Sequence, residues 1–382
     1  MKMLKWSIFA VLCIFVLTSY THETYAGPST TKTFEVKKGG NLVLEVNRIG
    51  ADVKVEAWNK NEVAVKVEGI SGDDLEWLEI EKDGNTVNVF FDPDNGWRRP
   101  RNARFYVSVP SEFNLDVGTS GGDVEVVGSM KGTVFATTAG GDIEIDDVDG
   151  EVNLKTAGGD VTAGDIDGDA KLKTSGGDVE VGKVTGKLIA ATAGGDIEAG
   201  EVGGDLEAGT AGGDIICKNV GGEAEAKTAG GDIELGVVKG GINARTAGGD
   251  IEVRGATGRV VAKTAGGDID LAGVKGYVDT ETAGGDITVE LDPANTAKSS
   301  IETNGGDIAL YLPSGAKATV EALIRLRSRD WDDDDRYDVH SDFKAETHDK
   351  DSKEIRARYV INGGGKVIKL KTTNGNIEIR KR

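Results

Sequence analysis

The 382-residue sequence is poor in cysteine, proline, histidine and aromatic residues, with 2 Cys, 6 Pro, 3 His and 5% Phe, Trp and Tyr together. So little proline beside 56 glycines excludes collagen and argues against a disordered linker. Basic residues are also a minority: 45 Lys and Arg stand against 65 Asp and Glu, for a formal charge of -20. Because this charge repels phosphate, we expect no nucleic-acid partner.

Long hydrophobic runs are confined to the N-terminus. An apolar run over 6–17 follows Lys2 and Lys5, and small residues stand at Thr24 and Ala26. This pattern predicts a secretory signal peptide over 1–26, with a retained anchor helix as the alternative. The mature protein is therefore expected to be secreted to the periplasm, the outer-membrane surface or the medium, with no transmembrane span.

The thiol content fits no disulfide framework. Cys13 lies inside the apolar run, after residues that make a poor lipidation signal, so Cys217 is the only cysteine of the expected mature chain. A single cysteine cannot form an intramolecular disulfide, so the stability of this protein must come from packing and backbone pairing.

What the sequence does contain is a repeat. The motif Thr-x-Gly-Gly-Asp occurs eleven times between Asp123 and Asp307, and its spacing is 18 residues from Asp142 to Asp286. After each Asp, apolar and polar residues alternate, as in Ile197-Glu198-Ala199, and this period of two predicts a strand with one buried face.

A second strand completes each repeat. A column of mostly Val precedes an invariant glycine by two residues, from Gly150 to Gly276, and a second alternating segment such as Leu206-Glu207-Ala208 follows. The Gly-Gly pair then turns the chain into the next repeat; we assign as structural turns Gly140, Gly141, Gly158, Gly159, Gly176, Gly177, Gly194 and Gly195.

Two short strands and two tight turns in 18 residues cannot form a helical repeat and cannot bury an apolar face alone. Stacking solves both problems, so the sequence predicts an all-β protein, a single-stranded parallel β-helix or β-solenoid that rises about 4.8 Å per coil. We place the signal peptide at 1–26, degenerate first coils and an N-terminal cap at 27–118, and the solenoid at 119–382. A separate small β domain is the alternative for 27–118. A charged insert at about 325–358 and a closing C-terminal strand complete this organisation.

These features resemble the DUF4097 family of candidate-adhesin β-solenoids, which is related to the DUF2807 head domains. The resemblance rests on the repeated Gly-Gly-Asp-Ile/Val, on Val109-Pro110 leading into 115–117, and on the closing Asn374-Gly375-Asn376-Ile377-Glu378-Ile379. It covers nearly the whole mature chain, and the segment 325–358 is its least typical part. The resemblance implies a right-handed β-helix in an exported bacterial envelope protein, without catalytic residues.

The aspartate column is the first candidate site. Carboxylates stacked about 5 Å apart repel one another by roughly 0.8 kcal/mol in water. We expect backbone N–H groups at the Gly-Gly turns to offset this repulsion; a row of weak Ca²⁺ sites is the alternative. No other cofactor is expected. The candidate cation ladder is Asp142, Asp160, Asp178, Asp196, Asp214, Asp232, Asp250, Asp268 and Asp286.

Other patterns favour ordinary surfaces. The Thr column shares the inward register, so we interpret it as a hydrogen-bonded corner and not as an ice-binding face. Scattered bases on the second strand form no basic groove; they are Lys155, Lys173, Lys227, Arg245 and Lys263. Residues 97–101 are a compact basic and aromatic patch. His340 and His348, near Asp332–Asp335, are the alternative metal ligands.

Regular columns argue against catalysis, because an active site normally breaks local sequence rules. The sequence therefore predicts an exported, non-catalytic binding, adhesion-like or scaffolding protein. Its partner would be an envelope protein, a glycan, or a second copy of itself. A polysaccharide-acting β-helix enzyme and a Ca²⁺-binding solenoid are the alternatives.

Overall fold

The computed structural model describes residues 29–70, 72, 74–93, 102–293, 297–326 and 336–382. The predicted signal peptide, the patch at 97–101 and Asp332–Asp335 lie outside the described residues. The described chain is all-β apart from one 3₁₀ helix, Asp74–Trp77, which confirms the predicted fold class. In these ranges no helix has the length and apolar character that crossing a bilayer requires.

Three groups of strands follow one another along the chain. The first group is β1 (Thr30–Glu35), β2 (Gly40–Val46), β3 (Asp52–Trp58), β4 (Glu62–Glu68), β5 (Leu78–Asp83), β6 (Thr86–Phe91), β7 (Arg104–Pro110), β8 (Phe113–Thr119), β9 (Val124–Val127) and β10 (Met130–Lys131).

The second group contains the regular coils: β11 (Val134–Thr137), β12 (Ile143–Ile145), β13 (Val148–Asp149), β14 (Val152–Lys155), β15 (Val161–Ala163), β16 (Ala170–Lys173), β17 (Val179–Val181), β18 (Leu188–Ala191), β19 (Ile197–Val202), β20 (Leu206–Gly209), β21 (Ile215–Val220), β22 (Ala224–Lys227), β23 (Ile233–Val238), β24 (Ile242–Arg245), β25 (Ile251–Ala256), β26 (Arg259–Lys263) and β27 (Ile269–Thr282). The third group is β28 (Ile287–Pro293), β29 (Ser299–Thr303), β30 (Ile308–Leu312), β31 (Ala318–Arg325), β32 (Val339–Ser341), β33 (Thr347–Lys350), β34 (Glu354–Ile361), β35 (Val367–Thr373) and β36 (Ile377–Lys381).

Each regular coil contributes one strand to each of two parallel sheets. Strands that follow the repeated Asp form the Asp sheet, in which Ile197 pairs with Val179 on one side and Ile215 on the other. Strands that precede the repeated Thr form the Thr sheet, in which Leu206 pairs with Leu188 and Ala224. Equivalent residues 18 positions apart are therefore neighbours on successive coils, as the repeat predicts.

One hydrophobic core runs between the two sheets from end to end. The inward residues of the Asp sheet, such as Ile197 and Ile215, are buried, and so are those of the Thr sheet, such as Leu206 and Ala226. The outward residues between them are polar or charged in most coils. Alternation along each strand thus sets which face is buried, because a shift by one residue would turn every apolar side chain into solvent.

Glycine is required at the turns because successive coils approach too closely for a side chain. A Cβ on Gly195, the second glycine of its pair, would lie 2.2 Å from the carbonyl oxygen of Gly177 in the preceding coil. A Cβ on Gly194, the first of the pair, would lie 3.1 Å from the carbonyl oxygen of Gly176. The second glycine is therefore the stricter requirement, although neither position needs a left-handed backbone.

The first strands of the chain lie inside the stack and not at its end. Strand β2 pairs with β6 on one side and β8 on the other, and β3 pairs with β7 and β9. The antiparallel pairs β1–β4, β4–β7 and β5–β6 then cover the end of both sheets. The described strands of 27–118 thus pair continuously with those of the solenoid, and the predicted domain bounds stay a prediction.

The last strands lie inside the stack in the same way. Strand β35 pairs with β29 and β31, and β36 pairs with β30 and β32. The end of the Thr sheet is formed by β34 and β33, both antiparallel to their neighbours. Strands β35 and β36 therefore lie between the coils and strands β31 to β34, which form the cap in the described residues; the predicted bounds of the insert and of the closing strand stay a prediction.

Candidate functional site

The repeated aspartates form a ladder of hydrogen bonds along one edge of the Asp sheet. The Oδ1 atom of Asp178 accepts the backbone N–H of Asp196, one coil further on, at 2.8 Å, and the Oδ1 atom of Asp196 accepts that of Asp214 at 2.8 Å. The same bond recurs at 2.7–2.9 Å in every coil from Asp123 to Asp307.

The ladder continues beyond the repeated motif at both ends. Asp52 accepts the N–H of Asp123 at 3.4 Å, and Asp307 accepts the N–H of Asn376 at 2.6 Å. Asn376 in turn accepts the N–H of Asp338 at 3.1 Å through its Oδ1 atom. Asp52 and Asp338 were not predicted from the sequence as members of this ladder. For Asn376, the segment Asn374-Gly375-Asn376, which resembles the repeated motif, was the only signal.

Hydrogen bonding outweighs the repulsion within this column. A bond from an N–H group to an ionised carboxylate contributes about 1.5–3 kcal/mol, and the low end applies to these exposed side chains. Repulsion between neighbouring carboxylates costs roughly 0.8 kcal/mol in water and less in salt. The geometry therefore agrees with the structural interpretation of the Asp column, in which each carboxylate satisfies an N–H group where the sheet ladder ends.

The threonines satisfy the other side of the same turn. The Thr192 hydroxyl donates to the carbonyl oxygen of Gly177 in the preceding coil at 2.7 Å and accepts the N–H of Gly195 at 3.3 Å. Thr138 and Thr156 make the same type of bond and are 3% and 2% exposed. The Thr column is thus an inward, hydrogen-bonded corner, as its strand parity predicts.

Side chains that could hold a metal ion do not converge in the described part of the chain. Among those residues, no group of three or more His, Cys, Asp or Glu side chains is placed as a ligand set. His348 contacts Asp338 through its Nε2 atom at 3.0 Å, whereas His340 lies on β32 opposite Glu378. The Ca²⁺ ladder and the histidine site stay predictions from the sequence.

We expect Asp196→Ala to lower the free energy of unfolding by about 1 kcal/mol, because the N–H of Asp214 loses its acceptor. Asp196→Asn retains the Oδ1 acceptor and removes one charge. Its free energy of unfolding at low salt should therefore be equal to or higher than that of the wild type. The urea midpoint followed by circular dichroism measures both, with EDTA or CaCl₂ added in parallel. Ca²⁺ stabilisation that disappears in Asp196→Asn would instead identify a cation site.

A second acidic column runs along the outer face of the Asp sheet. Glu234, Glu252 and Asp270 are consecutive in this column, and partial burial beside Glu252 and Glu290 raises the pKa of Asp270. Because the pKa of Asp270 is higher in the folded protein than in the unfolded chain, Asp270 lowers the free energy of unfolding as the pH rises above the usual aspartate pKa. The column gives the Asp sheet an acidic face without a convergent catalytic pair.

The Thr sheet has a mixed outer face with one shallow depression of about 440 Å³, lined by residues that include Glu207, Glu225, Asn243 and Arg245. Glu207 pairs with Lys187 at 3.3 Å, and the neighbouring Lys227 ammonium lowers the pKa of Glu225. A polysaccharide-cleaving acid needs a raised pKa, so these paired carboxylates do not favour the enzyme alternative.

Cys217 lies in the buried column of the Asp sheet, 2% exposed between Ala199 and Leu235. Burial raises the pKa of its thiol to about 12. The thiolate is the reactive form, so this cysteine behaves as a small core residue and not as a nucleophile.

Comparison with known proteins identifies one matching family model and several solved structures of low sequence identity. A family model described as Toastrack DUF4097 matches residues 41–253 and, overlapping, 204–380. No curated protein matches the sequence.

Solved structures similar to this chain include three from Bacteroides fragilis and Parabacteroides distasonis. A candidate adhesin from Bacteroides fragilis is 12% identical, with 93% of this chain and 97% of that chain covered and a TM-score of 0.21. A candidate adhesin from Parabacteroides distasonis is 11% identical, with 70% and 92% covered and a TM-score of 0.29. A candidate lipid-binding protein from the same species is 13% identical, with 92% and 97% covered and a TM-score of 0.22. At these identities and TM-scores, none of the three carries a functional argument.

Proposed function

The chain belongs to the Toastrack DUF4097 family, and from this premise we propose that it is an exported, non-catalytic binding rod of the cell envelope. The observation that carries the proposal is the regularity of the coils. Equivalent side chains stand at equivalent positions on successive coils, as Asp196 and Asp214 do, and make the same bonds. An active site requires groups with different roles that converge on one point, and this arrangement supplies parallel rows instead.

The faces of the rod are better suited to binding than its ends. Among the described strands, the Asp sheet finishes at its C-terminal end in the short strand β32, which is parallel to β36. The other three sheet ends finish in antiparallel strands that carry charged residues, as in β33 with Lys350 and Asp349 and in β1 with Lys32. Such strands disfavour edge-to-edge pairing with another sheet. End-to-end self-association therefore has little support, and we place the partner on a sheet face, with an envelope protein or a glycan as its class.

Export is the second part of the proposal. It rests on the apolar run at 6–17, on the small residues at Thr24 and Ala26, and on a fold that the described residues complete without a disulfide. Expression of the full chain in a bacterial host, followed by N-terminal sequencing of the exported product, should show a mature start at Gly27. An intact N-terminus in the membrane fraction would instead indicate an anchor.

The binding role is tested with the exported, purified protein on a glycan array and by crosslinking in intact cells. We expect a defined glycan class or a defined crosslinked envelope protein at micromolar concentration. Blank results in both experiments, obtained with folded protein, would overturn the proposal. Hydrolysis of any arrayed polysaccharide would show that the protein is an enzyme.

A further inference from the structure

The pairing register brings three lysines together on the outer face of the Thr sheet. Lys155 on β14 lies directly opposite Lys173 on β16, at the usual strand spacing of about 4.8 Å. Lys171 is two residues from Lys173 on the same face of β16, about 7 Å away at the rise of a strand. Lys171 belongs to a different column from the other two, so the register and not the repeat reveals this cluster.

These lysines differ from Lys227 and Lys263 on the same face because they have no acidic partner. Within the described chain, no ion pair within 4 Å involves Lys155, Lys171 or Lys173, whereas Lys227 pairs with Glu225, and Lys263 pairs with Glu281 at 3.0 Å. Three adjacent, unneutralised cations are unusual on a chain of formal charge -20. Their mutual repulsion favours an anion that approaches from solvent.

An aromatic ring and an amide lie next to the lysines. On β11, the coil before Lys155, Phe135 is 36% exposed on the same outer face. Asn153 stands between Phe135 and Lys171 in the pairing register. We call these five residues, Phe135, Asn153, Lys155, Lys171 and Lys173, the lysine patch.

Small residues follow Lys173 along the coils, and acidic residues flank the patch on two sides. In the next coil Lys173 faces Ala191, and Gly209 follows, whereas Lys171 faces Ile189. In the preceding coil the exposed Asp116 lies opposite Phe135. On the corner side, Glu151 and Asp169 precede Asn153 and Lys171 by two residues and are exposed. An anion is therefore drawn toward Lys155 and Lys173 and away from the corner.

We propose that the lysine patch binds an acidic polysaccharide, a chain that carries carboxylates on its sugar rings. The lysines would pair with the carboxylates, Asn153 would hydrogen bond to hydroxyl groups, and Phe135 would pack against the apolar face of one sugar. The inference rests on the proposed binding function and names its ligand class and its site.

Competing polyanions fit the whole molecule less well. Nucleic acids and anionic membranes carry dense charge, which the acidic Asp sheet and the net charge of -20 repel. A uronate chain has a lower charge density than duplex DNA and offers apolar sugar faces that polyphosphate and lipid headgroups lack. The aromatic residue beside the cations therefore favours a uronate over polyphosphate and anionic lipid, and the net charge disfavours nucleic acids.

Binding of oligogalacturonate by the purified full chain, measured by isothermal titration calorimetry at low and physiological salt, tests the proposal. We expect Lys155→Gln with Lys173→Gln to weaken binding roughly tenfold, and Phe135→Ala roughly threefold or more. Added salt should weaken binding by the wild type. The matched control is Lys227→Gln with Lys263→Gln, which removes two paired lysines from the same column and should leave affinity unchanged. All substituted side chains are exposed or half-buried on the outer face, so the fold is retained in every variant.

Three further outcomes are decisive. Equal weakening in both double variants, or none in either, would show that the patch is not the site. Equal binding of methyl-esterified oligogalacturonate would show that the carboxylates are not recognised, and tighter binding of phosphatidylglycerol vesicles or polyphosphate would assign another ligand class. If the array shows neutral glycans only, the binding function stands and this inference fails; if array and crosslinking are both blank, both fail.

Discussion

Leu370→Asp should release the C-terminal cap from the solenoid and leave the central coils folded. Leu370 is 1% exposed on β35, where it pairs with Ile301 of β29 on one side and Ala322 of β31 in the cap on the other. An unpaired charge in this position costs about 3–5 kcal/mol. Among the described strands, β31 to β34 pair with the rest of the molecule only through β35 and β36.

Hydrogen exchange resolves this effect along the chain. We expect backbone amides of 318–361 to exchange roughly a hundredfold faster, while those of 143–256 keep their protection. Lys369→Asp is the matched control, because Lys369 is the preceding residue, is exposed, and faces away from the core. Protection that falls equally in the cap and in the central coils would show that β35 does not specifically attach the cap.

Gly195→Ala should destabilise the central coils far more than Gly194→Ala. The new Cβ at 195 would lie 2.2 Å from the backbone oxygen of Gly177 and 2.3 Å from the Asp178 carboxylate, so two coils must separate. We expect a cost of about 3 kcal/mol or more. At Gly194 the nearest atom is 3.1 Å away, and the gain from a less flexible unfolded chain offsets part of the strain, for a net change of about 1 kcal/mol or less.

Urea unfolding of the two alanine variants measures this difference. Circular dichroism gives the midpoint, and the m-value shows whether the coils still unfold together, since a strained coil can divide a repeat protein into separately melting parts. Equal midpoints for the two variants would contradict the close packing of the second glycine.

The coil architecture could be predicted from the sequence because it depends on local spacing. An 18-residue period places Ile197 and Ile215 on one face at equivalent positions of successive coils, and backbone pairing between those coils then forms the sheet. The inward position of the Thr column followed from the same period. These elements needed no knowledge of which distant segments meet. The partner of each Asp did not follow from the period, because the expected donors were N–H groups of the Gly-Gly turn and the donor in the structure is the N–H of the Asp one coil further on.

The two ends could not be predicted, because their pairing is non-local and has no spacing signal. Strand β2 meets β8 about 70 residues later, and β29 meets β35 across the whole cap. The echo at Asn376 showed that this segment resembles a coil, but not that the cap lies beyond it. The lysine patch was not predicted, because the bases of this strand were interpreted as scattered and because Lys171 and Phe135 join Lys155 and Lys173 only through the pairing register.

The ladder at Asp196 has a consequence for how such a protein can change in size. Each coil offers its two neighbours the same donors and acceptors, so the gain or loss of one 18-residue unit leaves every junction chemically identical. Duplication within the gene would then lengthen the molecule in increments of about 4.8 Å while the terminal assemblies stay intact. The length of the molecule is thus set by the number of coils.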